Sequence, residues 1–175
     1  MDITFSNQNS IKLAGKNATI AINPEKETKA DLMLFSDPEG FQGDFKAFYG
    51  PGEYEVLGCM VDGIEITPEN TCYSVVIDDM HVTYAINMTE TFSDAQLDRM
   101  GGVDILIISV KDDKSELMNK IITQVEPRIL MPMLQNEGEL AKIKAEFGKD
   151  VEPTDKFKVA KKDLPTDSQQ LVILK

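Results

Sequence analysis

The first half of the chain carries short apolar runs separated by turn residues, a pattern that is typical of β-strands. One pair of runs is joined by Gly15-Lys16-Asn17 and another surrounds Asp78-Asp79-Met80, so each pair predicts a β-hairpin. Residues 32–35 form an unbroken apolar run, which predicts a strand buried on both faces. Gly50-Pro51-Gly52 predicts a turn, because proline fixes φ and glycine adopts unusual dihedrals. The predicted strands are residues 11–13, 18–22, 32–35, 54–56, 59–61, 71–77 and 82–86.

The second half of the chain alternates helical and strand patterns. Ser93 or Asp94 can cap a short helix that ends at Met100, and Gly101-Gly102 predicts the turn after it. A second helix ends at Glu126, because a residue that precedes proline is disfavoured in the α region. The other predicted elements are a buried strand over 103–110, apolar helix positions at 117, 118, 121, 122 and 125, a strand over 128–131, a helix with apolar positions at 140, 143 and 147, and strands over 157–159 and 171–174. Strands followed by βαβ-like units predict two packed sheets with helices outside.

The length of 175 residues and the apolar fraction of 42% fit one globular domain, which we expect to span residues 1–175. No run of about 18 apolar residues is present, so we expect no membrane partner. The first residues, Met1–Phe5, lack both a basic start and an apolar stretch and therefore do not resemble a signal peptide. We expect a cytoplasmic protein.

The net charge of −12 is unevenly distributed along the chain. Residues 1–100 hold 17 acids and 6 bases, whereas residues 101–175 hold 13 acids and 12 bases. A surface that binds phosphates needs clustered lysine and arginine. The sequence offers only a mild cluster, formed by Lys156, Lys158, Lys161 and Lys162. We therefore expect an acidic protein with no nucleic-acid partner.

Cysteine and histidine are the usual ligands of zinc, and this chain has two cysteines and one histidine. Cys59 and Cys72 lie in apolar segments without a Cys or His at ligand spacing, so we expect two buried, reduced thiols. The single histidine, His81, follows Asp78 and Asp79 at a predicted hairpin tip. We interpret it as a surface imidazole near carboxylates, because one imidazole is too few for a catalytic zinc site.

Several stretches of the chain, which occur in the order found in the family, resemble a branch of the metallo-β-lactamase superfamily. This branch contains small bacterial metal-dependent hydrolases and lactonase-like proteins. Each stretch is short, and it is their order over nearly the whole chain that makes the resemblance specific. They are residues 2–5, 16–20, 29–32 leading to Ser36, 50–56 with 63–64, 103–107, 126–133 and 161–165. The resemblance implies an α/β (α+β) fold, a four-layer αββα sandwich, shortened after Pro24 and between Ser36 and Gly50.

The same resemblance implies chemistry that this sequence cannot supply. The family activates water on divalent metal ions, which are held by several histidines and carboxylates, most of them in an H-x-H-x-D-H loop after the strand that ends here at Ser36. With one histidine in 175 residues, this chain is a degenerate member. We expect no catalytic residue, no metal ligand and no zinc or other cofactor. The positions that match the lost site are Gln8, Asp37, Glu39, Gln42, Asn87 and Leu134.

Three hypotheses about function follow from the resemblance. The leading one is a non-catalytic pseudoenzyme that serves as a binding or assembly module for itself or a related chain. The alternative is a divergent metal-dependent hydrolase or lactonase with a non-standard site, in which carboxylates could hold a hard cation. The third is a small-ligand module, in which an aromatic segment plugs the emptied cleft or lines a new pocket. The carboxylate set is Asp37, Glu39, Asn87 and Glu90, and the aromatic set, which we expect to plug, is Phe41, Phe45, Phe48 and Tyr49.

Overall fold

Two β-sheets form the framework of the protein in a computed structural model that describes residues 1–7, 9–25, 28–37, 46–111, 115–134, 137–147 and 151–175. The strands are β1 (Asp2–Asn7), β2 (Ser10–Ala14), β3 (Thr19–Ile22), β4 (Leu32–Phe35), β5 (Ala47–Tyr49), β6 (Gly52–Val56), β7 (Cys59–Thr67), β8 (Asn70–Ile77), β9 (Met80–Met88), β10 (Ile105–Val110), β11 (Ile129–Pro132), β12 (Lys156–Lys158) and β13 (Gln170–Leu171). The helices are α1 (Asp94–Met100), α2 (Ser115–Val125) and α3 (Glu137–Phe147), with a 3₁₀ turn at Lys161–Asp163.

The first sheet has the strand order β12-β1-β2-β3-β4-β5. Strands β12, β1, β2 and β3 pair antiparallel, and β3, β4 and β5 pair parallel. The β2–β3 hairpin closes at Gly15, whose N–H donates to the carbonyl of Ala18 at 2.9 Å. The hairpin predicted at Gly15-Lys16-Asn17 is therefore confirmed.

The second sheet has the strand order β13-β11-β10-β9-β8-β7-β6. Strands β6 to β9 form an antiparallel meander, while β9, β10, β11 and β13 run parallel. Asp78 and Asp79 join β8 to β9 with positive φ values of 51° and 64°, as a two-residue hairpin turn of the mirror-image type requires. Because β9, β10 and β11 are parallel, their carboxyl ends meet at one edge of the sandwich.

The core has two apolar layers, which explains the unbroken apolar pattern of the central strands. In β10, Ile105 and Ile107 face the first sheet, whereas Leu106 and Ile108 face the helices, so the strand is covered on both sides. The described helices pack on this outer face of the second sheet through Met100, Ile121, Ile122 and Ile143. The predicted α/β sandwich with helices outside is confirmed.

The ends of α1 follow the predicted signals. The Ser93 hydroxyl accepts from the backbone N–H of Gln96, and the Gln96 side chain accepts from the Ser93 N–H, so the two form a capping box. Gly101 ends the helix with a φ of 63°. None of the helices in the described ranges is both long and apolar enough to cross a bilayer.

Several strands differ from the prediction: β1 is absent from the predicted strands, and β7 continues to Thr67, beyond the predicted end at residue 61. The segment predicted as a strand over residues 171–174 pairs as a strand only at Gln170–Leu171, and Leu174 forms an isolated bridge with Thr154. Strand β5 has no signal of its own in the sequence, because it has only three residues and depends on parallel pairing with β4. Such pairing is a tertiary contact, and the local pattern does not encode it.

Candidate functional site

One edge of the sandwich brings together the ends of strands from both sheets. The N–H of Thr71, in β8, donates to the carbonyl of Ser36, directly after β4, at 2.9 Å. On the same edge the Asn70 side chain donates to the carbonyl of Ile86 at 2.9 Å. The N–H of Asn87 donates to the Ser109 hydroxyl, also at 2.9 Å. This strand-end edge is where the family resemblance implies a metal site.

A buried polar network lies beneath the strand-end edge and centres on Tyr84. Its phenol, which is fully buried, donates to the carbonyl of Asn9 at 2.5 Å and accepts from Nδ2 of Asn23 at 3.0 Å. The same Nδ2 donates to Oγ of Ser36 at 2.8 Å, and the Ser36 N–H donates to Oδ1 of Asn23 at 2.9 Å. Tyr84 belongs to the second sheet and the other three residues to loops of the first, so the network ties the sheets together.

Local backbone geometry positions two asparagines at this edge. Asn23 follows β3 with a φ of 49°, and Asn87 lies near the end of β9 with a φ of 52°. Asparagine enters this left-handed region more readily than other residues with a side chain. At Asn23 the conformation coincides with a side chain that bonds to Ser36 and Tyr84.

A second buried phenol supports the same edge. The hydroxyl of Tyr73 donates to the carbonyl of Phe35 at 2.7 Å, at the end of β4. Burial raises the pKa of both Tyr73 and Tyr84 well above the ordinary tyrosine value. Both phenols therefore stay protonated at neutral pH and act as hydrogen-bond donors, and neither is available as a base or nucleophile.

The residues predicted from the resemblance fall into two groups. Asp37 is exposed next to Ser36, and Asn87 is exposed on the same edge. Leu134 is half-buried and packs against the apolar layer under the helices, so it belongs to the core. The remaining predicted positions, Gln8, Glu39 and Gln42, lie outside the described residues.

The described donors do not fit the zinc site that the family resemblance implies. A site of that kind needs several imidazoles and carboxylates that converge on one point. Across the parts of the chain that the structure describes, no group of three His, Cys, Asp or Glu side chains is placed to hold a metal ion. Of the proposed carboxylate set for a hard cation, Asp37, Asn87 and Glu90 are exposed, and Glu39 is outside the described residues.

His81 lies near the start of β9, at the opposite end of that strand from Asn87. It is half-buried and lines a groove with Asp62 and Arg99. Its expected neighbour Asp78 turns instead towards the first sheet, where it contacts the Met1 ammonium group at 3.0 Å and the Lys16 N–H at 2.9 Å. The carboxylates near His81 are therefore Asp62 in the groove and Asp104, whose Oδ2 accepts from the His81 N–H at 2.9 Å, while the hairpin turn directs Asp78 away.

The aromatic segment divides between the interior and the surface. Phe48 packs against the core between the sheets, with its ring centroid 4.7 Å from that of Tyr54. Tyr49 is 47% exposed. Phe41 and Phe45 lie outside the described residues. Within the described chain, it is Tyr84 and its polar partners that lie beneath the strand-end edge.

Sequence reasoning missed Tyr73, Tyr84, Asn23 and Ser36 as members of one site. The sequence did carry a signal for the two tyrosines. Each places a hydroxyl group in a strand whose alternate positions are buried and apolar. A buried hydroxyl requires a hydrogen-bond partner. The partners themselves come from loops far away in the sequence.

Both cysteines are buried and unpaired, as expected. Burial raises the pKa of the Cys72 thiol far above its ordinary value. Burial also raises the pKa of Cys59, and the nearby carboxylates of Asp78 and Asp31 add to this shift. A thiol with a raised pKa stays protonated and is a poor nucleophile or metal ligand.

Comparisons with known proteins agree with this architecture. The family model described as "Beta-lactamase superfamily domain" matches residues 2–134. No curated protein matches significantly.

Solved structures from bacteria and an archaeon share the fold. A metallo-β-lactamase superfamily protein from Thermotoga maritima aligns with a TM-score of 0.80 and 17% identity, over 99% of this chain and 98% of that one. Igni18, a metallo hydrolase from Ignicoccus hospitalis, gives a TM-score of 0.61 at 13% identity, over 90% of this chain and 98% of its own. The isothiocyanate hydrolase from Delia radicum gut bacteria gives 0.62 at 10%, over 91% and 99%. At these identities the likeness concerns the fold alone.

Proposed function

Because this chain belongs to the β-lactamase superfamily, we propose that it is a non-catalytic member that keeps the fold as a binding or assembly module. The observation that carries the proposal is the Tyr84 network beneath the strand-end edge. There an amide, a hydroxyl and a protonated phenol direct their hydrogen bonds to one another and to the Asn9 carbonyl. All these groups are neutral, so they cannot balance the charge of a divalent cation.

The number of histidines in the sequence supports the proposal by itself. Metal-activated hydrolysis requires a cation with an open coordination position, held by several protein ligands. The full sequence contains one histidine, so the segments outside the described residues cannot supply another. His81 lies at the far end of β9 from the strand-end edge and could not join a site there without refolding of the sheet.

The test combines metal content with activity. We expect protein purified without chelator to hold far less than one equivalent of zinc, manganese or iron. We also expect it to hydrolyse esters, lactones and phosphodiesters no faster than buffer, with or without added metal. The matched variants are Asp37→Ala at the strand-end edge and Asp163→Ala, another exposed acid, in the 3₁₀ turn whose Lys161 pairs with Asp104.

The alternative, a divergent hydrolase with a non-standard site, predicts the opposite result. Stoichiometric metal or turnover that Asp37→Ala abolishes and Asp163→Ala preserves would establish that alternative and overturn the proposal. The proposed module would assemble either with itself or with a related chain. Light scattering of the purified protein would show whether it assembles with itself.

The proposal also covers organisation and location. We propose that residues 1–175 act as one domain in the cytoplasm. The two buried, protonated thiols support a reducing compartment, where free cysteines persist. Fractionation of cells that express the protein would test this location.

A further inference from the structure

Strand β6 forms one edge of the second sheet. It is the last strand in the sheet order and, among the strands that the structure describes, it pairs only with β7. An edge strand presents backbone N–H and C=O groups to which another extended chain can pair. Proteins that bind peptides by strand addition use edges of this kind.

The exposed large apolar side chains of the described chain all surround β6. They are Tyr49, Leu57 and Met60, which are 47%, 57% and 57% exposed. Tyr49 ends β5 just before the turn into β6, Leu57 follows β6 directly, and Met60 lies opposite Glu55 on β7. These three side chains therefore flank the same edge strand, with Tyr49 before its first residue and Leu57 and Met60 at its other end.

Leu57 is unusual in its backbone as well as in its exposure. Leu57 and Gly58 form the β6–β7 turn with positive φ values of 50° and 77°. Asparagine or glycine is the usual residue at the first position of such a turn, because a branched side chain is strained there. Asparagine would suit this turn better than a strained, exposed leucine. The leucine therefore points to a use on the surface.

The two faces of β6 differ in chemistry. Tyr54 and Val56 are half-buried and pack against the core between the sheets. Glu53 and Glu55 are exposed on the opposite face and line, together with Met60, a groove of about 440 Å³. Neither glutamate forms an ion pair with any described residue, whereas Arg99 in the same groove is already paired with Asp62 in the bidentate manner. The strand therefore alternates between acidic and apolar positions.

We propose that β6 is a docking edge for an extended segment of a partner protein, and that the segment alternates basic and apolar residues. Its backbone would pair with the free edge of β6. Its basic side chains would face Glu53 and Glu55, and its apolar side chains would extend the surface of Tyr54 and Val56. Cross-strand pairs of opposite charge and of apolar groups are the pairs that stabilise sheets.

Charge complementarity favours this partner over a second copy of the chain. Antiparallel pairing of β6 with itself about Tyr54 would place Glu53 opposite Glu55 on both sides of the axis. Like charges at such positions destabilise a sheet. Residues 1–100 also hold 17 acids against 6 bases, so two copies would repel each other, whereas a basic segment would be attracted.

A synthetic peptide of about eight alternating lysine and valine residues, capped at both ends, is the probe. We expect saturable binding that weakens with salt, together with amide chemical-shift changes in ¹⁵N-labelled protein that centre on β6 and its two flanking turns. A peptide of alternating glutamate and valine, and a block peptide with the lysines first, are the controls and should bind weakly or not at all.

Variants separate the docking edge from general acidity. Glu53→Gln/Glu55→Gln should weaken binding about fivefold, since two cross-strand charge pairs are lost. Glu65→Gln/Glu69→Gln removes the same charge at the other end of β7 and should leave binding unchanged. Leu57→Asn should weaken binding while the protein stays folded, because asparagine suits the turn.

Several results would overturn the inference. They are absence of saturable binding, equal binding of all three peptides, equal effects of the two glutamine double variants, or a dimer of the free protein that Leu57→Asn dissociates. The inference rests on the proposed binding role, but failure of the inference can be distinguished from failure of that role. Metal-dependent turnover would overturn that role and leave peptide binding at β6 intact, whereas absence of peptide binding would leave the metal and activity results unchanged.

Discussion

Removal of one oxygen tests whether the strand-end edge is closed. Tyr84→Phe keeps the ring but deletes the hydroxyl that donates to the Asn9 carbonyl at 2.5 Å and accepts from Asn23 at 3.0 Å. A buried polar group left without a partner costs about 1–3 kcal/mol. Asn23 keeps its bond to Ser36 at 2.8 Å, whereas the Asn9 carbonyl loses the bond from the phenol. We expect the variant to lose about 2 kcal/mol of unfolding free energy.

Urea unfolding followed by circular dichroism measures this loss. With a slope of about 2 kcal/mol per molar urea, the midpoint should fall by about 1 M while the slope stays constant. Tyr54→Phe is the matched control, because its hydroxyl lies 3.4 Å from the Gly50 carbonyl and should contribute less than about 0.5 kcal/mol. If Tyr84→Phe also cost less than about 0.5 kcal/mol, water would already reach the network. The edge would then be an open cleft, and the proposal of a closed former site would lose its support.

Three further substitutions test other parts of the structure by unfolding experiments. Leu57→Asn should raise the free energy of unfolding by about 1 kcal/mol, because asparagine tolerates the left-handed turn position. Gly63→Ala should lower it by about 2 kcal/mol, since the added methyl carbon would lie 2.6 Å from the Gly50 carbonyl oxygen; unchanged stability would mean that the backbone there is free to shift. Asp78→Asn should lower the free energy of unfolding by about 1–2 kcal/mol at pH 7. Burial by itself would raise the pKa of Asp78. The Lys16 N–H and the terminal ammonium outweigh burial, so the pKa lies below its ordinary value of 3.8. A lowered pKa means that the contribution is present above the unfolded pKa and is lost as pH falls through the folded value, so wild type and variant should converge in strong acid and diverge above pH 4.

Local patterns predicted most of the framework. Each predicted hairpin and each predicted helix in the described chain is present, because turn residues, caps and apolar periodicity act over a few positions. Strands β1 and β5 were both missed, and β5 has only three residues with one parallel neighbour, which carry no periodic signal. The site was predicted only as a loss, through positions such as Asp37 and Asn87. The hydrogen-bond network beneath the strand-end edge could not be predicted, because it depends on contacts between distant loops.

The sequence by itself determined the order of elements, the family resemblance and the shortage of imidazoles, since a count of one histidine does not change on folding. Only the tertiary structure decided what lies beneath the strand-end edge and which strand is left at the side of the sheet. Tyr84 bonds to residues 61 and 75 positions away, Asn23 and Asn9. Strand β6 is an edge because no other strand of the described chain pairs beyond it. Both outcomes depend on how two sheets are stacked, and a local pattern of apolar and polar residues does not specify which distant groups that stacking brings into hydrogen-bond range.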